Sequence, residues 1–213
     1  YRQAEAMHRR ALKGREAALG PDHLDTLAGV DNLGATLRHQ GQYKKAEEMH
    51  RRALEGREKV LGPNHADTIT SVNNLGSDLW YQGKYDKSEP MHRRVLEIRE
   101  KMLGFDHPDT LASVSILGVT LGALGQCEEA EAMLRRALEG REKTLGPDHP
   151  DTLASFCFLG RILLIRGQID EASSMHRRAL EGREKVLGSD HPRTLSSVRD
   201  MGDVLQNQGQ YEK

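Results

Sequence analysis

Cysteine is almost absent. Cys127 and Cys157 are the only two among 213 residues, and they fall at unrelated positions of the chain's internal repeat. A disulfide framework is excluded, and a reducing, cytoplasmic compartment is the expectation. Aromatics are also scarce: one Trp, three Phe and five Tyr make up 4% of the chain. Leu, Ala, Val and Gly must therefore fill the interior, which suits closely stacked helices. Charge of one sign is missing, since 31 Lys and Arg face 32 Asp and Glu. That balance offers no general attraction to nucleic acid or to an anionic membrane. No apolar run reaches spanning length and no secretory leader is recognisable, so no membrane association is expected. The catalytic signatures are absent as well: no Gly-x4-Gly-Lys-Ser/Thr phosphate loop, no GxGxxG, no GxSxG. The stretch from Gly76 to Gly83-Lys84 has the wrong spacing for a phosphate loop, and no Ser or Thr follows the Lys. No catalytic residue, cofactor or enzymatic activity is expected.

What the chain has in abundance is itself. Met7 recurs as Met49, Met91, Met133 and Met175, and His23 as His65, His107, His149 and His191, always 42 residues apart. A fixed period of this size marks an array in which each unit stacks on its neighbours. Tyr1 is no initiator Met, and Tyr211-Glu212-Lys213 begin another copy, so the chain is expected to be a fragment of a longer protein.

Each copy reads as two helices. In the first, Ile69, Val72, Leu75 and Leu79 are spaced three and four apart on one helical face. Pro108, Pro150 and Pro192 stand where that helix should begin, with Asp109 and Asp151 next, as the positive end of the helix dipole favours. Gly41, Gly83, Gly125, Gly167 and Gly209 are placed to end it as left-handed caps. This is helix A. In the second, Ala46, Met49, His50, Ala53, Leu54, Val60 and Leu61 form another stripe, stopped by Gly62-Pro63. This is helix B. Short links favour antiparallel neighbours, and the order B, four A–B pairs, then A gives ten helices.

Thirteen positions are identical in all five copies: Met7, Arg9, Arg10, Leu12, Arg15, Glu16, Leu19, Gly20, His23, Thr26, Gly34, Leu37 and Gly41 in the first. They read as scaffold. Gly34 lets helices A and B approach closely. His23 and Thr26 are expected to satisfy backbone groups at the start of helix A. Successive histidines lie about 8–10 Å apart if stacked helices set the spacing, too far to share zinc at about 2.0–2.3 Å. With no HExxH or CxxC, no metal site is expected. Arg9, Arg51, Arg93 and Arg135 each follow a Glu by four residues, namely Glu5, Glu47, Glu89 and Glu131. That pairing predicts a solvated, self-neutralised face rather than a basic site. Arg15 with Glu16 reads as an inter-helix brace.

Leu33-Gly34, Leu37, Gly41, Tyr43, Ala46 and Ala53 place small and apolar residues so that the copy resembles a tetratricopeptide repeat. That repeat is usually about 34 residues long and would be extended here to 42. The NNLG-type helix A and the LGPDHPDT-type link resemble kinesin light chain repeats, and still more the near-identical tandem repeats of fungal NOD-like receptors. The resemblance covers the whole chain. It implies an all-α fold, a right-handed superhelical solenoid of antiparallel helix pairs, as one array over 1–213. Helix B at 1–20 would precede repeats 23–62, 65–104, 107–146 and 149–188, and a final helix A would occupy 191–209. His50, with its equivalents His8, His92 and His176, departs from the family, which usually has an aromatic there. Looser or more polar packing is expected at that position. Pro90, Gly118, Gly122 and Gly125 predict a bend near 85–125.

Against this constant background, one helix A stripe changes at every copy. Offsets of 0, 4, 7 and 8 lie on one face and carry Asp31, Ala35, Arg38 and His39 in the first copy. The resemblance makes that stripe the lining of a concave, ligand-binding groove. Its candidate residues are Asp31, Ala35, Arg38, His39, Asn73, Asn74, Ser77, Trp80, Tyr81, Ser115, Val119, Phe158, Arg161, Leu164, Ile165, Arg199, Asp203 and Asn207. Asn73 or Asn74 would hold a peptide backbone. Cys157 and Phe158 could equally fill a tighter junction. The partner expected is a protein or peptide in the groove. The expected role is the sensor or partner-recognition region of a larger intracellular NOD-like receptor. A kinesin light chain-like cargo adaptor is the first alternative, and end-to-end self-association through uncapped terminal helices the second.

Overall fold

The computed structural model describes residues 2–209. Tyr1 and residues 210–213, where the sequence places the start of a further copy, lie outside the described residues. Ten helices and no strand occur among the described residues. Helices of type B are α1 (Arg2–Leu19), α3 (Tyr43–Leu61), α5 (Tyr85–Leu103), α7 (Cys127–Leu145) and α9 (Ile169–Leu187). Helices of type A are α2 (Leu24–His39), α4 (Ala66–Tyr81), α6 (Pro108–Ala123), α8 (Pro150–Ile165) and α10 (Pro192–Asn207). They fall into two compact units, 1–98 and 99–213.

The boundaries follow from a few recurring residues. Each helix A starts on a histidine whose Nδ1 accepts the backbone N–H two residues on, at 3.2 Å from Asp25 to His23 and equally from Asp151 to His149. This is an N-cap made by imidazole instead of the usual hydroxyl or carboxylate. Pro108, Pro150 and Pro192 occupy the first turn, where a missing N–H costs nothing. The A-to-B turn closes when the N–H of Gln42 bonds the carbonyl of Leu37 at 2.9 Å. Lys84 to Leu79, Gln126 to Leu121 and Gln168 to Leu163 repeat that bond at the same distance. Gly41 at φ +74° makes the turn possible. The B-to-A link differs from the left-handed form. Gly62 sits at φ 83°, ψ 167°, a mirror-extended conformation that is also reserved for glycine. Pro90 lies inside α5, which continues unbroken to Leu103.

In the first unit, Leu12, Val30, Leu33, Leu37, Ala46 and Ala53 pack together with Met49. Leu54, Ile69, Val72, Leu75, Leu79 and Val95 pack with Met91 and Ile98. In the second unit, Leu111, Val114, Leu117, Leu121, Leu134, Leu153, Leu159 and Leu163 are buried to 1% exposure or less. Each such side chain contributes roughly 1.5–3 kcal/mol by leaving water.

The arginines brace this packing. Arg57 Nη1 donates to the Asp67 carbonyl at 3.1 Å and to Ser71 Oγ at 2.7 Å. Arg141 does the same to Asp151 and Ser155, and Arg183 to Arg193 and Ser197. Each of these B helices is thereby tied to the helix A that follows it. The Glu–Arg pairs close as expected, with Arg9–Glu5 at 2.9 Å and Arg51–Glu47 at 2.6 Å. Burial alone would raise the Glu47 carboxyl. Hydrogen bonds from Gln82, Lys84 and Arg51 together outweigh it and hold that carboxyl below the usual range.

The His50 position divides its expectation. It is polar, since Nδ1 meets the Asp78 carboxylate, but it is not loosely packed. The side chain is fully buried, and a Cβ placed on Gly34 would lie 2.6 Å from His50 Nε2. The invariant glycine is the space the ring occupies.

Candidate interaction surface

In the first unit the variable stripe is partly spent on structure. Asp31 is only 9% exposed, and its carboxylate takes the Arg57 guanidinium and the Ser71 hydroxyl. It belongs to the junction between α2 and α4, not to a ligand surface. Burial pushes its carboxyl up, in spite of Arg57 beside it. Arg38 Nη2 donates to Asn74 Oδ1 at 3.1 Å, and Arg38 Nε lies 3.6 Å from Asp78 Oδ1. Asn74 is therefore engaged within the protein. Asn73 is half-buried, and its Oδ1 has no partner among the described residues. Ala35 and Ser77 are half-buried, the latter donating to the Asn73 carbonyl at 2.9 Å.

Beside them stands an aromatic group. Tyr81, 51% exposed, stacks on Tyr43 with centroids 5.1 Å apart and meets the edge of Trp80 at 5.3 Å. Trp80 also leans on Tyr85, and its indole N–H is buried without an acceptor among the described residues. His39 holds the position of Tyr81 one copy earlier, in α2, and is likewise exposed. The first unit thus presents a tyrosine-capped aromatic cluster, with an imidazole one repeat before it.

In the second unit, Ser115 is 3% exposed and is corrected from surface to junction, as Asp31 is. The physical reason is shared: the first position of the stripe lies where one helix A meets the next. Cys157, at the same position of α8, is buried 3.8 Å from Ser197 Oγ of α10. Val119, Phe158 and Leu164 are half-buried, while Arg161, Arg199, Asp203 and Asn207 are exposed. Asn207 bonds the Asp203 carbonyl at 2.7 Å. Ile165 stands out from α8 at 67% exposure.

Five of the anticipated residues come together here. Arg161, Leu164, Ile165, Arg199 and Asp203 line a pocket of about 430 Å³, completed by His176 and Asp200. A second pocket of about 420 Å³ beside it brings Arg141, Arg161, Arg183 and Arg193 around Cys157 and Phe158. Sequence comparison along one stripe misses His176 and Asp200, because they reach the pocket from α9 and from a different phase of α10. The signal lies in the Asp200 phase, which also varies, as Asn32, Asn74, Ile116, Phe158 and Asp200. No described helix is long and apolar enough to cross a membrane.

The comparisons with known proteins agree with this architecture. Tetratricopeptide repeat models match residues 1–25, 27–101, 68–143, 109–185 and 159–213. Among solved structures, the Podosopora anserina putative kinesin light chain nearly identical TPR-like repeats share 28% identity at a TM-score of 0.76. That alignment covers 88% of this chain and 89% of theirs. A point variant of the same protein gives 0.77 with the same identity and coverage. BtubC (BKLC) from P. vanneervenii matches at 20% identity and TM-score 0.80, over 98% of this chain and 84% of that one, and shows the fold. No curated relative matches the chain. With the helix pairs, the glycine turns and the matched models in agreement, the chain belongs to the tetratricopeptide repeat family.

Proposed function

We propose that the chain is a protein- or peptide-binding scaffold that uses the variable faces of its A helices. The observation that carries this reading is that invariant residues brace and cap the helices, while the changing stripe presents an aromatic cluster in one unit and a mixed apolar and charged pocket in the other. Tyr81 and Ile165 are 51% and 67% exposed. Aromatic and aliphatic anchors beside charged residues suit a peptide that buries a few side chains. The wider setting proposed is the partner-recognition region of a larger intracellular NOD-like receptor. A cargo adaptor is the second reading, supported by the kinesin light chain neighbour that covers most of this chain. Self-association between copies of this chain is a third reading. Light scattering at rising concentration tests it, and a constant monomer mass rejects it.

The test of the scaffold reading is capture of a partner by the chain and by a Tyr81→Ala, Ile165→Ser variant. Both positions are exposed, so folding is kept. A hot-spot residue contributes above about 1 kcal/mol, so the variant is expected to retain less than about a tenth of the partner. Equal retention would move recognition off the A helices, and the partner's identity would separate receptor from adaptor.

A further inference from the structure

We propose that Cys157, His176 and Asp200 form a binding site for a zinc-class divalent cation between α8, α9 and α10. Each residue comes from a different helix. One ligand atom of each, a thiol sulfur, an imidazole nitrogen and a carboxylate oxygen, lies within 4.8 Å of the other two. Tetrahedral zinc holds such ligands about 3.3–3.8 Å apart, given bonds of about 2.0–2.3 Å. Small torsions of three side chains close that difference. Among the described residues this is the one trio of its kind.

The histidine carries the argument. His176 is 1% exposed, and its Nδ1 has no hydrogen-bond partner among the described residues. Its Nε2 lies over Gly160, whose backbone the ring bonds. An imidazole that gives its Nε2 proton to a carbonyl presents a lone pair at Nδ1, the arrangement that fixes metal-bound histidines. At the same position of α3, His50 Nδ1 is met by Asp78. The corresponding residue of α10 is Val204, so His176 receives no such partner. A buried polar atom left in this state is unfavourable, and a ligand that pairs with it removes that penalty.

The three donors themselves fit a zinc-class cation. Nitrogen, sulfur and oxygen donors together suit zinc better than magnesium or calcium. Arg199 Nη2 lies 3.3 Å from Asp200 Oδ1 and orients that carboxylate. Arg183 holds Ser197 at 2.7 Å, 3.8 Å from the sulfur, and positive charge there favours thiolate. Burial keeps the free Cys157 thiol protonated, so binding releases its proton to solvent as the sulfur–metal bond forms. Thiolate and carboxylate neutralise a divalent ion. His176 and Asp200 also line the pocket that holds Arg161, Ile165 and Asp203, from which water would complete a three-ligand site.

The repeat supplies its own controls. Ser115, Leu134 and Asn74 hold the positions of Cys157, His176 and Asp200 in other copies. Cys157→Ser, His176→Leu and Asp200→Asn therefore place residues this fold already accepts. The experiment titrates cobalt(II) into the reduced, metal-stripped full chain and then displaces it with zinc. One equivalent of cobalt is expected, with a thiolate charge-transfer band and the intense visible bands of tetrahedral geometry. Cys157→Ser should abolish the charge-transfer band, and the other two should weaken binding at least about tenfold. Circular dichroism confirms that each variant is folded. A band that survives Cys157→Ser but vanishes in Cys127→Tyr overturns the proposal. So does cobalt bound equally by the parent and the triple variant, which would place it on the exposed histidine caps.

Discussion

In α3, His50 Nδ1 meets the Asp78 carboxylate, and Arg38 approaches the same group from α2 at 3.6 Å. In α9, at the same position of the repeat, His176 Nδ1 meets no polar partner among the described residues. The backbones are equivalent and both rings rest on an invariant glycine, Gly34 or Gly160. The side chains around the rings differ: Asp78 is replaced by Val204, and Arg38 by Leu164. Asp31 is likewise committed to Arg57 and Ser71, whereas Cys157 has only the weaker approach of Ser197, at 3.8 Å. The scaffold thus fixes where the imidazole goes. The variable positions on the neighbouring A helices decide whether its Nδ1 finds an internal partner.

The sharpest way to break this comparison is Asp78→Ala. It leaves His50 and part of Arg38 buried without their counter-group and should cost about 3–5 kcal/mol in urea unfolding. His50→Leu combined with Asp78→Ile installs the pair that α7 and α8 carry as Leu134 and Ile162. That double variant should recover most of the loss, because an apolar pair of matching shape replaces a buried polar one at little cost. A double variant as unstable as the single one would refute the view that the polar pair is exchangeable.

His92 sharpens the comparison through pH. Burial pushes its pKa down from 6.5 to about 4. The unfolded chain therefore binds more protons than the native one between those values. Stability is complete above the upper value and is lost as pH falls through the window, by about 3 kcal/mol in total. Burial lowers His176 as well and adds to the effect, whereas Asp31, raised above 3.8, opposes it at the acid end. Urea midpoints from about pH 7 to about pH 4 should fall, and His92→Leu should flatten the curve. An unchanged slope in that variant would assign the acid sensitivity elsewhere.

The smallest effect asks whether the two rings are equally confined. Gly34→Ala and Gly160→Ala put a Cβ 2.6 Å and 2.7 Å from His50 Nε2 and His176 Nε2. Overpacking of this kind costs about 1–3 kcal/mol. The Gly160 variant should be the milder, since no carboxylate pins the far side of His176. Equal costs, measured as unfolding free energies, would mean that packing alone holds both rings.

Much of the fold is legible because the repeat turns one sequence into five readings of itself. The proline starts, the glycine turns and the Glu5–Arg9 type pairs follow from spacing within a single helix, where residue and partner lie close in sequence. The positions that escape such a reading are those whose partners lie on another helix. Asp31 shares a helical stripe with Arg38 and His39, but its side of the helix meets Ser71 of the next A helix. The Arg15 class reads as bracing, yet its acceptors, a carbonyl ten residues on and a serine fourteen on, are visible only once helices stack. The tight packing at His50 becomes evident only when Gly34 and the ring are taken together. The trio of Cys157, His176 and Asp200 combines three phases from three helices, which comparison of single columns does not assemble.

The unvarying register of the Arg57–Ser71 kind of brace has a genetic consequence. From the second copy on, every tie of this kind is made between positions that recur 42 residues later, while Gly29 holds the place of the serine in the first. Unequal exchange in frame, removing or adding one whole copy, would re-create each tie with the neighbour's equivalent residue. Such exchange would bring whole variable faces together in new orders while the joints stayed intact. A chain built this way can diversify its recognition by recombination instead of by accumulating point substitutions.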